Sequence, residues 1–292
     1  VKDGTNRLKV ELYNDHIYMG NDPGGKEETE GDKLYAATGL GWDGPLDGWH
    51  HCPAGMGIYN RVYVEIRNFV HISDLYIRPL DDQAEAWLEI QNDSYDTIPV
   101  ELSLSLYGQN FHETVFEDCR YTPETTRFVG MGDSLTEAAV KSELGKGIPM
   151  PLKHGKNLYK LKFDLPDAKR WDLETPYLYQ LQAAVLVNGA CTDRFAQQFG
   201  MRSFTQDTEN PQRKGMFYLN GRPIRLRGAN TMGFEQQDVL RGDLRQLIDD
   251  ILLAKLCNMN FLRLTQRPVQ DEVYEYCDKL GLMTQTDLPL FG

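Results

Sequence analysis

The run from Tyr177 to Val187 constrains the fold more than any other segment. Tyr177, Tyr179, Leu181, Ala183, Val185 and Val187 are apolar at every second position. Successive side chains of a strand point to opposite faces, so this run offers one face to a core. The run stops at Asn188-Gly189, a pair suited to the tightest hairpin turn because both of its positions take positive φ. A long strand with one apolar face needs strands beside it and a second layer beneath it.

Those partners can be read nearby. Val100, Leu102, Leu104 and Leu106 alternate with Glu101, Ser103 and Ser105, and Trp87-Leu88-Glu89-Ile90 reads as the neighbouring strand. Tyr159, Leu161, Phe163 and Leu165 alternate with Lys160, Lys162 and Asp164. Strands spaced by turn signals across residues 72–205 predict an antiparallel β-sandwich. Residues 1–71 read as the end of another β domain. Leu8, Val10 and Leu12 alternate, a polar Gly-rich loop is expected from Asn14 to Asp47, and strand character returns from Tyr59 to Ile66.

The period changes after residue 206. Met216 to Leu219 and Ile224 to Leu226 flank Asn220-Gly221, a second hairpin signal. Leu244, Leu247, Ile248, Ile251, Leu252 and Leu256 recur at helical spacing. Asn260 to Leu264 reads as a strand, Asp271 to Leu280 as a helix stopped by Gly281, and Leu282 to Thr286 as a further strand. Strand, helix, strand, helix, strand is the order of parallel βαβ units. Three such strands fall well short of the eight that close a barrel, so the chain is expected to be a piece of a longer protein.

Composition narrows the partners. A net charge of -12 disfavours phosphate backbones and anionic membrane surfaces, so neither a nucleic-acid nor a membrane partner is expected. The cysteines Cys52, Cys119, Cys191, Cys257 and Cys277 are scattered, without a CxxC pair, which argues against a disulfide framework or a zinc site. His50 and His51 adjoin Cys52, but adjacent strand residues point to opposite faces. Gly24-Gly25-Lys26 lacks the full spacing of a phosphate loop. No cofactor is expected. Homo-oligomerisation and compartment are left open by these residues.

Three segments in order carry a resemblance. They are Gly57 to Val64; Trp171 to Leu181 with Phe199-Gly200-Met201-Arg202; and Tyr218 to Pro223 with Leu226 to Asn230, continued by Asn260 to Arg263, Pro268, and Tyr274 to Gly281. Together they resemble glycoside hydrolase family 2, the family of β-galactosidases, β-glucuronidases and β-mannosidases. The resemblance implies the end of a jelly-roll sandwich (1–71), an immunoglobulin-like sandwich (72–205), and the first three strands of a (β/α)8 TIM barrel (206–292). Tyr218 to Pro223 and Leu226 to Asn230 are taken as the first barrel strand. It also implies a carbohydrate substrate and a retaining mechanism, which needs two carboxyl groups roughly 5–5.5 Å apart. In the family these are glutamates at the ends of the fourth and seventh barrel strands. No residue here is therefore assigned as acid or nucleophile, and the chain by itself is expected to be inactive. A non-catalytic carbohydrate-binding or adhesion protein is the alternative reading.

What the resemblance leaves is a set of pocket candidates. Arg263 matches an arginine beside the family's nucleophile; the plainer reading is a strand-edge arginine in a salt bridge. Asn230 could hydrogen-bond a sugar hydroxyl or serve as a turn residue. Asp287 could bind a hydroxyl or orient a neighbouring side chain, or be a cap or loop carboxylate. Gln266 stands where the family pattern has histidine, and Thr231-Met232-Gly233 where a second histidine is expected, which bears on the sugar selected. Asp47 could reach the pocket from the jelly roll, or be a solvated loop acid. Trp49 could stack on a sugar ring or simply pack.

Overall fold

The computed structural model describes residues 4–11, 17–18, 28–29, 62–110, 139–231, 233–265 and 268–288. Asp47, Trp49, His50, His51, Cys52, Gln266 and the segment 24–26 lie outside them.

Seven strands build the sandwich: β1 (Val70–Pro79), β2 (Gln83–Asn92), β3 (Ile98–Gly108), β4 (Ala139–Leu152), β5 (Gly155–Asp164), β6 (Tyr179–Val187) and β7 (Ala190–Phe199). One sheet has the order β1-β2-β5, the other β4-β3-β6-β7, and every pairing is antiparallel. Period-two alternation decides what lies between the sheets. Ala86, Leu88 and Ile90 face Leu102, Leu104, Leu106, Leu181, Ala183 and Val185 in one buried cluster. The β6–β7 hairpin turns at Asn188 (φ 51°) and Gly189 (φ 77°), as the Asn-Gly pair predicts.

The expected neighbour of the Val100 strand is corrected. β2 and β3 are consecutive but lie in opposite sheets. The switch is organised by Asn92, which is fully buried. Its side-chain amide donates to Asp96 O (2.9 Å) and Leu152 O (3.1 Å), and its oxygen accepts from Ser94 N (3.0 Å). A buried amide satisfied in this way pins the chain as it leaves one layer for the other.

Residues 62–68 form no regular ladder, and Val62, Tyr63, Val64 and Ile66 are exposed. The strand expected over Tyr59–Ile66 is therefore not formed where it is described. A strand needs an edge to satisfy its backbone, and none of the described strands pairs with this segment.

On the outer face of β2, buried Glu85 accepts from Lys160 (2.9 Å), Lys162 (3.2 Å) and Trp87 Nε1 (3.3 Å). The Lys160 hydrogen bond, against the opposing cost of burial and with help from Lys162 and Trp87, holds its carboxyl at about 2 instead of 4.5. A depressed carboxyl contributes stability above its unfolded value and loses it as pH falls through its folded value. The gap in melting temperature between the native chain and Glu85→Gln should thus be open at neutral pH. It should close as pH falls from about 4.5 towards 2, which thermal melts across that range would check.

The C-terminal part begins with an antiparallel sheet of β8 (Phe204–Gln206), β9 (Phe217–Leu219) and β10 (Arg222–Ile224), the last two joined at Asn220 (φ 50°) and Gly221 (φ 76°). A parallel sheet follows in the order β11 (Gly228–Thr231), β12 (Phe261–Leu264) and β13 (Met283–Thr286). Tyr218 to Pro223 therefore belongs to a hairpin ahead of the barrel, and the first barrel strand is β11 alone. Between β11 and β12 lie two helices, not one: α1 (Phe234–Arg241) and α2 (Leu244–Leu256). Gly242 in the left-handed conformation (φ 74°) ends α1, and the Asp243 side chain, accepting from Gln246 N, starts α2. Helix α3 (Asp271–Leu280) ends at Gly281 (φ 70°). Leu247, Ile248, Ile251 and Leu252 of α2 and Val273, Tyr276 and Leu280 of α3 bury Leu262 and Leu264 of β12. Alternation then turns Phe261 and Arg263 to the opposite face of the sheet.

Candidate functional site

In parallel α/β sheets, binding chemistry collects at the carboxyl ends of the strands. Pairing places Asn230 opposite Arg263, and Arg263 opposite Gln285. Asp287 stands two residues past Gln285 and so falls on the same side of the sheet. The structure brings these three candidates into one cluster.

Arg263 donates to Asp287 in bidentate fashion, from Nε to Oδ1 at 3.0 Å and from Nη2 to Oδ2 at 2.6 Å. Its Nη1 also approaches Asn230 Oδ1 at 3.4 Å. The salt bridge required by the plainer reading of Arg263 is thus present, and its partner is another candidate. Among the described residues three of the five guanidinium N–H groups are engaged in this way, which leaves two for an oxygen-rich partner. The Arg263 side chain is 38% exposed and that of Asp287 18%, so the cluster is reachable yet walled.

Beneath it lies a layer that sequence reasoning missed. Thr231 Oγ1 stands 2.9 Å from Glu235 Oε1 and 3.3 Å from Arg263 O, and both Thr231 and Glu235 are buried. On the other side the hydroxyl of Tyr274 bonds Thr286 Oγ1 (3.0 Å) and accepts from Val269 N (3.3 Å). These contacts tie the ends of β11, β12 and β13 to α1 and α3. A threonine and a glutamate four residues apart read in sequence as an ordinary helix start, so no signal marked them out. Asp47 and Gln266 lie outside the described residues.

Among the described residues no group of three or more His, Cys, Asp or Glu is placed to hold a metal ion. Among them, too, no helix is long and apolar enough to cross a membrane.

Comparison with known proteins gives two family matches. Residues 70–202 match the model described as glycosyl hydrolases family 2, and residues 212–290 match that family's TIM barrel domain. A β-galactosidase from Priestia megaterium is 25% identical over 270 residues, covering 91% of this chain and 23% of that protein. A β-galactosidase from Lactobacillus delbrueckii subsp. bulgaricus is 34% identical over 119 residues, covering 41% of this chain and 11% of its own. The crystal structure of Bacteroides uniformis β-glucuronidase superposes with a TM-score of 0.53 at 22% identity, over 76% of this chain and 24% of that one. At that identity the superposition shows the fold, a sandwich followed by the start of a TIM barrel. The chain spans between about a tenth and a quarter of the length of the curated relatives it matches.

Proposed function

Because this chain belongs to glycosyl hydrolases family 2, we propose that it is part of an enzyme hydrolysing β-linked glycosides with retention, to which it supplies one wall of the sugar pocket. The observation that carries this reading is the Asn230–Arg263–Asp287 cluster at the carboxyl ends of three parallel strands. A fixed guanidinium there can hold a nearby carboxylate ionised for attack on the anomeric carbon, while Asn230 and Asp287 suit sugar hydroxyls. Asp287 accepts on both oxygens from Arg263, so it is a poor proton donor to a leaving oxygen. The carboxyl pair of a retaining glycosidase is assigned to none of the residues present, and belongs in this reading to later barrel strands. The domain limits 1–71, 72–205 and 206–292 are part of the same proposal, as is a carbohydrate substrate.

The test uses nitrophenyl β-galactoside, β-glucuronide and β-mannoside. The chain of residues 1–292 should turn over none of them. A longer protein carrying the remaining strands should hydrolyse at least one, with the β-anomer appearing first by NMR. Turnover by residues 1–292 would overturn the assignment of the carboxyl pair, and an inert longer protein would overturn the function.

A further inference from the structure

Helix α3 meets the sandwich at its C-terminus, where the last carbonyls of any helix lack partners within the helix. Here those partners come from elsewhere. Asp278 O accepts from Trp171 Nε1 at 2.7 Å, while Leu280 O and Gly281 O accept from Lys255 Nζ at 2.8 and 3.0 Å. The same ammonium donates to Leu173 O in the sandwich. Lys255 is only 4% exposed, so its three N–H groups are spent on three carbonyls of two different units. A cation is also favoured at this pole of a helix.

The parts around it leave little slack. The turn bearing Leu173 is tied by Asp172 Oδ1, which accepts from Glu174 N (2.8 Å) and Thr175 N (3.1 Å). At Gly281 a Cβ would lie 2.5 Å from Leu173 O and 3.1 Å from Lys255 Nζ, in addition to the strain of φ 70°. Arg202 sits over the Trp171 ring at 4.9 Å and reaches Asp278 at 3.5 Å. Arg202 and Asp278 form a wall shared by cavities of about 430 and 500 Å³, one on the hairpin side and one between α3 and the sandwich. Strand β13 starts two residues after Gly281, and Asp287 follows its last residue.

The geometry points to Lys255 as a positioning residue. Its ammonium fixes where α3 stops and β13 starts on the sandwich, and so sets where Asp287 stands against Arg263. The proposal rests on the reading that this cluster lines the sugar pocket. It goes beyond that reading by giving the sandwich a part in placing it.

The test reads the guanidinium directly in the 292-residue chain. Nitrogen-15 NMR follows exchange of the Arg263 Nε–H with water, assigned by its loss in Arg263→Lys. Lys255→Met is expected to speed that exchange about tenfold at a temperature where circular dichroism shows the sheets intact, since strand-end opening becomes easier. A Lys255→Met variant that melts earlier yet keeps native Arg263 exchange would show a helix cap and nothing more, and would overturn the proposal. Should Lys255→Met not fold, Trp171→Phe removes one donor of the same joint and is judged by the same exchange. In the longer protein, Lys255→Met should lower kcat about tenfold and leave KM within about twofold, as displacement of a catalytic support does. A longer protein without glycosidase activity would overturn the function proposed above, and the exchange measurement would still decide the role of Lys255.

Discussion

Trp171→Ala is expected to cost about 4 kcal/mol of unfolding free energy, the middle of the range for a buried aromatic replaced by alanine. The residue is fully buried, and its ring rests so closely on Gly200 that a Cβ there would sit 3.1 Å from the ring atoms Cγ and Cδ1. Leu178 and Leu219 are buried with it, so the ring joins the sandwich to the hairpin that follows. Its backbone oxygen accepts from Asn220 Nδ2 at 2.8 Å, and its indole N–H serves α3. Alanine would leave a cavity at a place where three elements converge and none can collapse alone. Native domains hold only about 5–15 kcal/mol in all, so the loss should be visible as a large drop in urea midpoint followed by circular dichroism. Trp171→Phe separates the contributions. It keeps most of the packing and loses one hydrogen bond, for about 1 kcal/mol. A Trp171→Ala variant within about 1 kcal/mol of the native chain would show that this junction is not a keystone of the fold.

The second large effect is functional and should leave stability nearly alone. On the function proposed above, Arg263→Lys in a protein carrying the remaining barrel strands is expected to lower kcat/KM by about 100-fold or more, the scale on which misplaced catalytic supports act. Lysine brings a point charge where the guanidinium fork holds both oxygens of Asp287 and reaches Asn230. The same substitution should change the melting temperature of the 292-residue chain little, because a part-exposed ion pair is worth about 0–1 kcal/mol. The two measurements together separate a pocket residue from a strand-edge salt bridge. Full activity in Arg263→Lys would assign Arg263 to the latter.

The elements most legible in the sequence are those whose pattern is set by one face meeting one core. The alternation of Val100–Leu106 and Tyr177–Val187 and the helical spacing of Leu244–Leu252 survive in the fold because each buries its apolar side, whereas Leu256, on the same spacing, is exposed. Pairing was less legible. Nothing in Asn92 announces that its amide will carry the chain from one sheet to the other, since that role depends on Leu152, sixty residues away. Helix α1 escaped notice because Phe-Glu-Gln-Gln-Asp-Val-Leu-Arg has too few apolar residues to show a period. The strand expected at Tyr59–Ile66 has the right side chains but no described edge to join, and alternation alone cannot supply one. At the strand ends, resemblance selected Asn230, Arg263 and Asp287 one by one. The bidentate contact and the buried Thr231–Glu235 pair under it required the register of three strands, which no local pattern encodes.

The pairing of β3 with β6 also sets a timetable. Residues 101–108 must wait for residues 179–186 before the larger sheet can close, a long-range contact of the kind that slows folding. The helices and strands from Gly228 onward are joined by short connections and can assemble locally. Yet the carbonyl that Lys255 seeks on Leu173, and the indole that serves α3, belong to a stretch that leaves the ribosome earlier. Synthesis from the N-terminus therefore presents the later, quicker unit with a docking platform already made, and the slow step comes first.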